Sequence, residues 1–292
     1  MKLHHLNCIS TCPAGGRLMD GRSSWLAPRG RLCCHCVLAE LDNGELALVD
    51  TGLGLSDVRA PRERLSAFFL ALVSPAWRES MTAARQISAL GFAPSDVRHI
   101  VLTHLDFDHA GGLDDFPNAT VHLMQEEADV ATRQRGWMDR QRFRPAQWSS
   151  SRARWRLYAP AAGENWYGFA KARPLVGLPP DIAKIPLRGH TLGHAGVALK
   201  DGEGWYLMAG DAYFHEREMR PRYGCPPGLR FYQWMLEHDR GARLANQRRL
   251  RELAQTRPDT VRITCAHDTA EFERRAGRPA TMPAGRLSPL PV

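Results

Sequence analysis

Four side chains able to bind a metal ion fall within six residues: His104, Asp106, Asp108 and His109, in a stretch that reads VRHIVLTHLDFDHAGGL from Val97 to Leu113. An apolar run, Ile100-Val101-Leu102, leads into them and suits a buried strand. Ala110-Gly111-Gly112 leads out, where glycine permits backbone conformations that other residues resist. Imidazoles and carboxylates at the edge of a core need partners, and a divalent cation satisfies both. The bland alternative is a polar loop capped by aspartates. It loses ground because the same grammar recurs. His190 and His194 lie in GHTLGH, Asp211 follows the apolar Leu207-Met208-Ala209-Gly210, and His267 follows Ile263-Thr264-Cys265-Ala266. Ligands gathered from several strand ends make a site at one edge of a sheet.

The order of these motifs resembles the metallo-β-lactamase superfamily of hydrolases: H-x-H-x-D-H, a lone His in a GHT stretch, an Asp after GD, and a late His. Val49-Asp50-Thr51-Gly52 resembles the family's early V-D-T-G strand end. The resemblance covers roughly residues 30 to 270. Its texture is nearest the lactonase-type branch, with "H-x-D-H-A-G-G" and "G-H-T-x-G-H" segments. It implies an α/β fold, a four-layer αβ/βα sandwich. It also implies one metal on His104, Asp106 and His190, a second on Asp108, His109 and His267, and Asp211 bridging them. Two such cations can share a hydroxide, lower its pKa and polarise a carbonyl or phosphoryl oxygen. Asp108 and Asp211 could hold or shuttle the proton. His194 is read as orienting a ligand by a hydrogen bond, and Asp50 as a structural carboxylate.

Two positions depart from the pattern. Asp106 stands where the family has its second His. A third carboxylate would bring the formal charge of two divalent ions, a hydroxide, Asp108 and Asp211 to zero. It also moves that position toward harder metals, manganese or iron, with zinc the default from the remaining ligands. Lactonases of the family carry a Tyr three residues after the bridging Asp; here that place is Phe214. Tyr213, one residue earlier, is the catalytic candidate for the missing hydroxyl, with His215 and Tyr223 nearby in a segment, 212–233, read as a loop.

The elements that must position these groups are legible in outline. Strands are expected over Lys2–Ile9, Cys34–Leu41, Leu46–Asp50, Asn118–Met124, Ala183–Leu187, Gly196–Leu199, Trp205–Ala209 and Thr260–Cys265, with a hairpin turn at Asp42-Asn43-Gly44. Pro61–Leu90 has a helical texture broken at Ser74-Pro75 and stopped at Gly91. Gln125–Arg133 opens another helix, and Trp234–Gln255 reads as one amphipathic helix with a solvated basic face. Residues 133–170 interleave eight arginines from Arg133 to Arg156 with Trp137, Phe143, Trp148, Trp155, Trp166 and Tyr167. They are read as an insertion overhanging the pocket, packed through Arg stems or stacking on a ligand. Residues 1–275 are expected to form a single domain, and 276–292, rich in Pro, a disordered tail.

The chain has 292 residues and is 43% hydrophobic, enough for one large α/β domain. Its net charge is +8, almost entirely from arginine, a balance compatible with anionic substrates. The N-terminus lacks the apolar core of a signal peptide, and no apolar stretch approaches the ~30 Å of a bilayer core. Seven cysteines, an odd number in no recognisable disulfide framework, suggest a reducing cytoplasm. Cys33-Cys34-His35-Cys36 is spaced too tightly for one tetrahedral site. The reading that follows is a cytoplasmic hydrolase of a small ester, lactone or thioester, with no nucleic-acid or membrane partner. A phosphodiesterase or nuclease using the arginine-rich segment, and a non-catalytic or redox metal-binding protein, are the alternatives.

Overall fold

The computed structural model describes residues 1–159 and 163–280. Its strands are β1 (Lys2–Asn7), β2 (His35–Glu40), β3 (Leu46–Val49), β4 (Val97–Val101), β5 (Thr120–Met124), β6 (Trp155–Tyr158), β7 (Glu164–Trp166), β8 (Phe169–Pro174), β9 (Ile182–Pro186), β10 (Ala195–Asp201), β11 (Gly204–Met208) and β12 (Val261–Thr264). They form two six-stranded sheets, ordered β1-β2-β3-β4-β5-β6 and β12-β11-β10-β9-β8-β7. β3 to β6 run parallel, as do β11 and β12; the other pairings are antiparallel.

Side chains alternate across each strand, and that alternation builds the layers. Val37, Ala39, Ala47 and Val49 of the first sheet meet Ile182, Val197, Leu199 and Met208 of the second in the central core. Leu38, Leu48 and Ile100 point the other way, onto the helices Ala83–Ala89 and Gln125–Arg133. Ala198 and Leu207 likewise face Leu250 and Leu253 of the helix Arg240–Thr256. Helix, sheet, sheet, helix is the four-layer αβ/βα sandwich.

The differences from the sequence expectations have local causes. The 133–170 segment is woven into both sheets: β6 is the edge of the first, and β7 with the start of β8 is the edge of the second. The basic helix expected over Trp234–Gln255 is two helices, Pro227–Leu236 and Arg240–Thr256, separated where Glu237 turns extended. The first of them occupies residues read as loop. Pro61–Leu90 breaks into Pro61–Arg64, Ala67–Val73 and Ala83–Ala89, with Ser74 in the left-handed region at φ 39°. After the helix Thr269–Ala276 the chain stays on the body as far as Ala280, which is buried and accepts a hydrogen bond from Asn7 Nδ2. The tail expected beyond that, 281–292, lies outside the described residues. Cys33, Cys34 and Cys36 are buried, and all seven cysteines are free. Among the described residues no helix is long and apolar enough to cross a membrane.

Candidate metal centre

Three parallel strand ends and one loop converge on a single point. The chain leaving β4 carries His104 to His109, the chain leaving β11 carries Asp211, and the chain leaving β12 carries His267. The turn between β9 and β10 carries His190 and His194. Leu105 N–H, Thr191 Oγ1–H and Gly193 N–H all donate to the buried carboxyl of Glu127, which ties the first of these loops to the last. Glu127 was not singled out in the sequence, because nothing in a helix N-terminus QEE marks one Glu as buried. Gly193 has to be glycine: a Cβ there would lie 2.1 Å from the Glu127 backbone nitrogen.

All seven predicted ligands arrive together, each of them buried. His104, Asp106, His190 and Asp211 can bring one ligand atom each to within 4.8 Å of one another, and His109, Asp211 and His267 do the same. Asp211 belongs to both sets. Its Oδ2 lies 3.3 Å from His190 Nε2, and its Oδ1 lies 3.3 Å from His109 Nε2 and 3.2 Å from His267 Nε2. Asp108 stands beside the second set, 3.7 Å from His267 Nε2 and 4.0 Å from His109 Nε2. Cys34, read from the sequence only as a buried thiol, can bring its sulfur into a set with Asp108 and His267.

The donor set fits cations. His109 Nε2 and Asp211 Oδ1 are buried in the middle of the cluster and make no hydrogen bond, an expensive arrangement unless a further partner satisfies them. Burial opposes charge on these groups, yet Asp211 and Asp50 hold His109 well above the ordinary imidazole range, so its Nε2 keeps a proton that a bound cation would displace. Burial likewise opposes ionisation of Asp211, but His267, His109 and His190 hold it well below the usual carboxylate range. Asp211 is thus a carboxylate held ionised by three surrounding imidazoles, a place where a cation can substitute for their protons.

Partners behind the ring nitrogens fix which nitrogen points inward. His109 Nδ1–H donates to Asp50 Oδ2 at 2.8 Å, and His267 Nδ1–H to the Cys33 carbonyl at 2.7 Å. Asp50, at φ 53°, also accepts from Thr103 N–H and Oγ1–H. A non-glycine residue in that conformation is held by its surroundings, as at many functional sites. His194 has no lone pair left to give: Nδ1–H donates to the Leu187 carbonyl, and Nε2 accepts from Asp211 N–H. Burial pushes its pKa down to about 3.

Two further residues were missed. Arg142, fully buried, forks onto Asp106, with Nε 2.7 Å from Oδ1 and Nη2 2.5 Å from Oδ2. Tyr232, on the helix Pro227–Leu236, lines a narrow pocket with Asp108, His267, Phe214, Met19, Leu32 and Val73. Tyr213 goes elsewhere: its hydroxyl donates to the Glu271 carboxyl, and its ring packs in the core under the second sheet. Phe214 stacks on His267, ring centroids 5.0 Å apart, and Tyr232 meets it edge-on at 6.0 Å. His215 is buried in a loop, its Nδ1 accepting from Arg217 N–H. Tyr223 is exposed under the Arg251 guanidinium.

Comparisons with known proteins agree with this geometry. Residues 29–265 match the family model described as the metallo-beta-lactamase superfamily. A probable metallo-hydrolase of Mycobacterium tuberculosis is 39% identical over 268 residues, 92% of this chain and 80% of that protein. An N-acyl homoserine lactonase of Bacillus cereus is 32% identical over 123 residues, 41% of this chain and 49% of that protein. The solved structure of an N-acyl homoserine lactone hydrolase, with N-hexanoyl-L-homoserine bound at its catalytic metal centre, aligns with a TM-score of 0.67 at 20% identity. It covers 94% of this chain and 95% of that one; at that identity the likeness speaks for the fold.

Proposed function

The chain belongs to the metallo-beta-lactamase superfamily, and from that premise we propose that it is a metal-dependent hydrolase of a small carbonyl ester, most closely a lactone. The observation that carries the reading is the buried pair of ligand sets joined by Asp211, with His109 Nε2 and Asp211 Oδ1 left without hydrogen-bond partners. His104, Asp106, His190 and Asp211 would hold one divalent ion, and Asp108, His109, His267 and Asp211 the other. Zinc suits the imidazole-rich second set with Cys34 beside it, and Asp106 admits iron or manganese at the first. When bound, such ions supply an activated water and an electrophile for the carbonyl oxygen.

The chain's own groups do the rest. Asp108, whose carboxyl burial pushes up against the pull of His109 and His267, is placed to take the proton from the attacking water and pass it to the leaving oxygen. The Tyr232 hydroxyl makes no hydrogen bond among the described residues, and the side chain shares the pocket with Asp108 and His267. Its phenol can donate to the carbonyl oxygen where charge develops. Met19, Leu32, Val73 and Phe214 make the wall apolar and exclude water. Outward, the lining residues Asp20, Arg31 and Thr269 lead to a groove of about 680 Å³ between the 22–31 loop and Glu273, room for the remainder of an acyl substrate.

Three of the eight arginines of 133–170 count against a nuclease, while Arg133, Arg135, Arg140, Arg152 and Arg156 stay exposed. Arg142 is spent on Asp106, Arg144 on the carbonyls of Arg64 and Arg140, and Arg154 on those of Phe116 and Ala119. Side chains committed inside the protein do not grip phosphates. The test is to assay metal-loaded protein on lactones, thioesters, phosphodiesters and single-stranded RNA, at low and moderate salt. Lactone opening with weak salt dependence is expected. Nucleic-acid cleavage that falls steeply with salt, because counterions are released, and that vanishes in His109→Ala would overturn the proposal.

A further inference from the structure

We propose that Arg142 is a resident cation of the first ligand set, competing with a metal ion for His190, so that the two metal positions fill in order and with unequal affinity, the His109–Asp211–His267 position first. The inference rests on the metal-dependent reading above and adds an asymmetry to it.

The geometry begins in the backbone. Phe143, which ends the helix Trp137–Arg142, forms an isolated antiparallel bridge with Asp106. That pairing lays residue 142 beside the ligand loop. The Arg142 side chain is then spent almost completely within the protein. Nε donates to Asp106 Oδ1 and Nη2 to Asp106 Oδ2, the bidentate fork that suits a carboxylate. Nη1 donates to the Leu236 carbonyl at 2.6 Å. Nη2 also lies 2.7 Å from His190 Nε2. An arginine nitrogen is always a donor, so toward Arg142 His190 Nε2 can only accept, whereas toward Asp106 Oδ2, 2.9 Å away, it can only donate; in either tautomer the lone pair it would give a metal is already engaged. His190 Nδ1 is buried with no partner. His109 and His267 show the opposite arrangement, with Nδ1 anchored and Nε2 turned into the cluster.

Charge follows the same line. Asp106 alone would add an anion where an imidazole adds none. Asp106 paired with Arg142 is neutral, so the pair returns the site to the charge a neutral imidazole at position 106 would give. A divalent ion entering the first set must therefore break the Arg142–His190 contact and sit beside a buried guanidinium. Asp106 still offers its Oδ2, which faces His104 and His190 at 3.2 and 2.9 Å, but as a carboxylate already half used. No such competitor touches His109, His267 or the Asp211 oxygen between them.

The experiment is a metal titration of the full chain. Metal-free protein is titrated with Zn²⁺, and separately with Mn²⁺, against a chromophoric chelator, and bound metal is counted by elemental analysis. Wild type should show two classes of site, the weaker by roughly 10-fold or more, the range over which groups behind the ligands tune affinity. His109→Ala should remove the tight class, and His190→Ala only the weak one. Arg142→Gln should tighten the weak class until the two converge, and should lower the melting temperature of the metal-free protein, because Asp106 is left without its counter-ion; metal should restore it. Arg142→Lys, which keeps a cation there, should keep the two classes apart. Should Arg142→Gln fail to fold, the wild-type titration and the two histidine variants still decide. Two equal sites in wild type, or a tight class lost with His190→Ala, would overturn the role of Arg142 while leaving a binuclear hydrolase intact. Protein that binds neither ion would take down both readings.

Discussion

The two halves of the candidate metal centre use the same residue types and differ in how their inward atoms are partnered. In the half made by His109, Asp211 and His267, each imidazole is fixed from behind by Asp50 or the Cys33 carbonyl, and the inward atoms His109 Nε2 and Asp211 Oδ1 are left unpaired. In the half made by His104, Asp106 and His190, the inward atoms bond one another and Arg142, and it is the outer nitrogen of His190 that lacks a partner. The first kind of half is preorganised for an ion, while the second is already satisfied. A ligand motif read from sequence counts donors and cannot register this difference, because it depends on a guanidinium contributed by a distant helix.

The sharpest way to break the comparison is to delete one imidazole from each half. His109→Ala or Asp211→Ala should abolish tight metal binding and lower kcat/KM by roughly 1,000-fold or more, about 4 kcal/mol in the barrier. His190→Ala should cost less, and His194→Ala, which removes a hydrogen bond to Asp211 N–H rather than a ligand, roughly 10–100-fold with most metal retained. Metal content and kcat/KM measured on the same preparations check the ranking. Equal losses at His109 and His190 would show the halves to be equivalent, and complete metal loss with His194→Ala would make it a ligand.

Next in size is the hydroxyl over the cluster. Tyr232→Phe should lower kcat by about 100-fold, the usual cost of removing one donor to developing charge, with metal content unchanged. Tyr213→Phe should leave kcat alone and lower thermal stability, since its hydroxyl serves Glu271. The reverse pattern would return the catalytic hydroxyl to Tyr213.

These same residues show how far the sequence could be read. The candidate ligands were legible because a strand end followed by His or Asp is a local pattern, repeated where four segments meet at one sheet edge. The layers followed from the alternation of apolar residues. Arg142 was hidden among eight arginines of similar spacing, and only the bridge between Phe143 and Asp106 distinguishes it. Tyr232 was lost because Pro226-Pro227-Gly228 reads as a loop, whereas two prolines here begin a helix. Tyr213 followed from counting residues past Asp211, and counting does not say which way a side chain turns when the chain leaves a short 3₁₀ turn for an extended one.

The smallest effect separates what lies beneath each half. Glu127 ties together the loops of the first half, and Glu271 receives Cys265 N–H and the Tyr213 hydroxyl beneath the second. Burial pushes Glu127 up to about 7 and Glu271 up to about 8, from an ordinary 4.5. A carboxyl whose pKa is raised on folding favours the fold in its protonated form. Its contribution is therefore complete below about pH 4.5 and is lost as pH rises, through about 7 for Glu127 and about 8 for Glu271. One unit of such a shift is about 1.4 kcal/mol, which moves the melting temperature of a chain of this size by roughly 3 °C. Set against Glu127→Gln and Glu271→Gln, metal-loaded wild type should thus lose several degrees between pH 5.5 and 8.5. That loss is superposed on the gain up to about pH 6.5 from buried histidines such as His122 and His194, which burial holds down at about 3. Glu127→Gln should flatten the part of that curve below pH 7, and Glu271→Gln the part that extends to 8. Melting curves of the three proteins across this range check it. Parallel curves for wild type and Glu271→Gln would mean that this carboxyl is already ionised at neutral pH, and that the second half rests on a charged group rather than a neutral one.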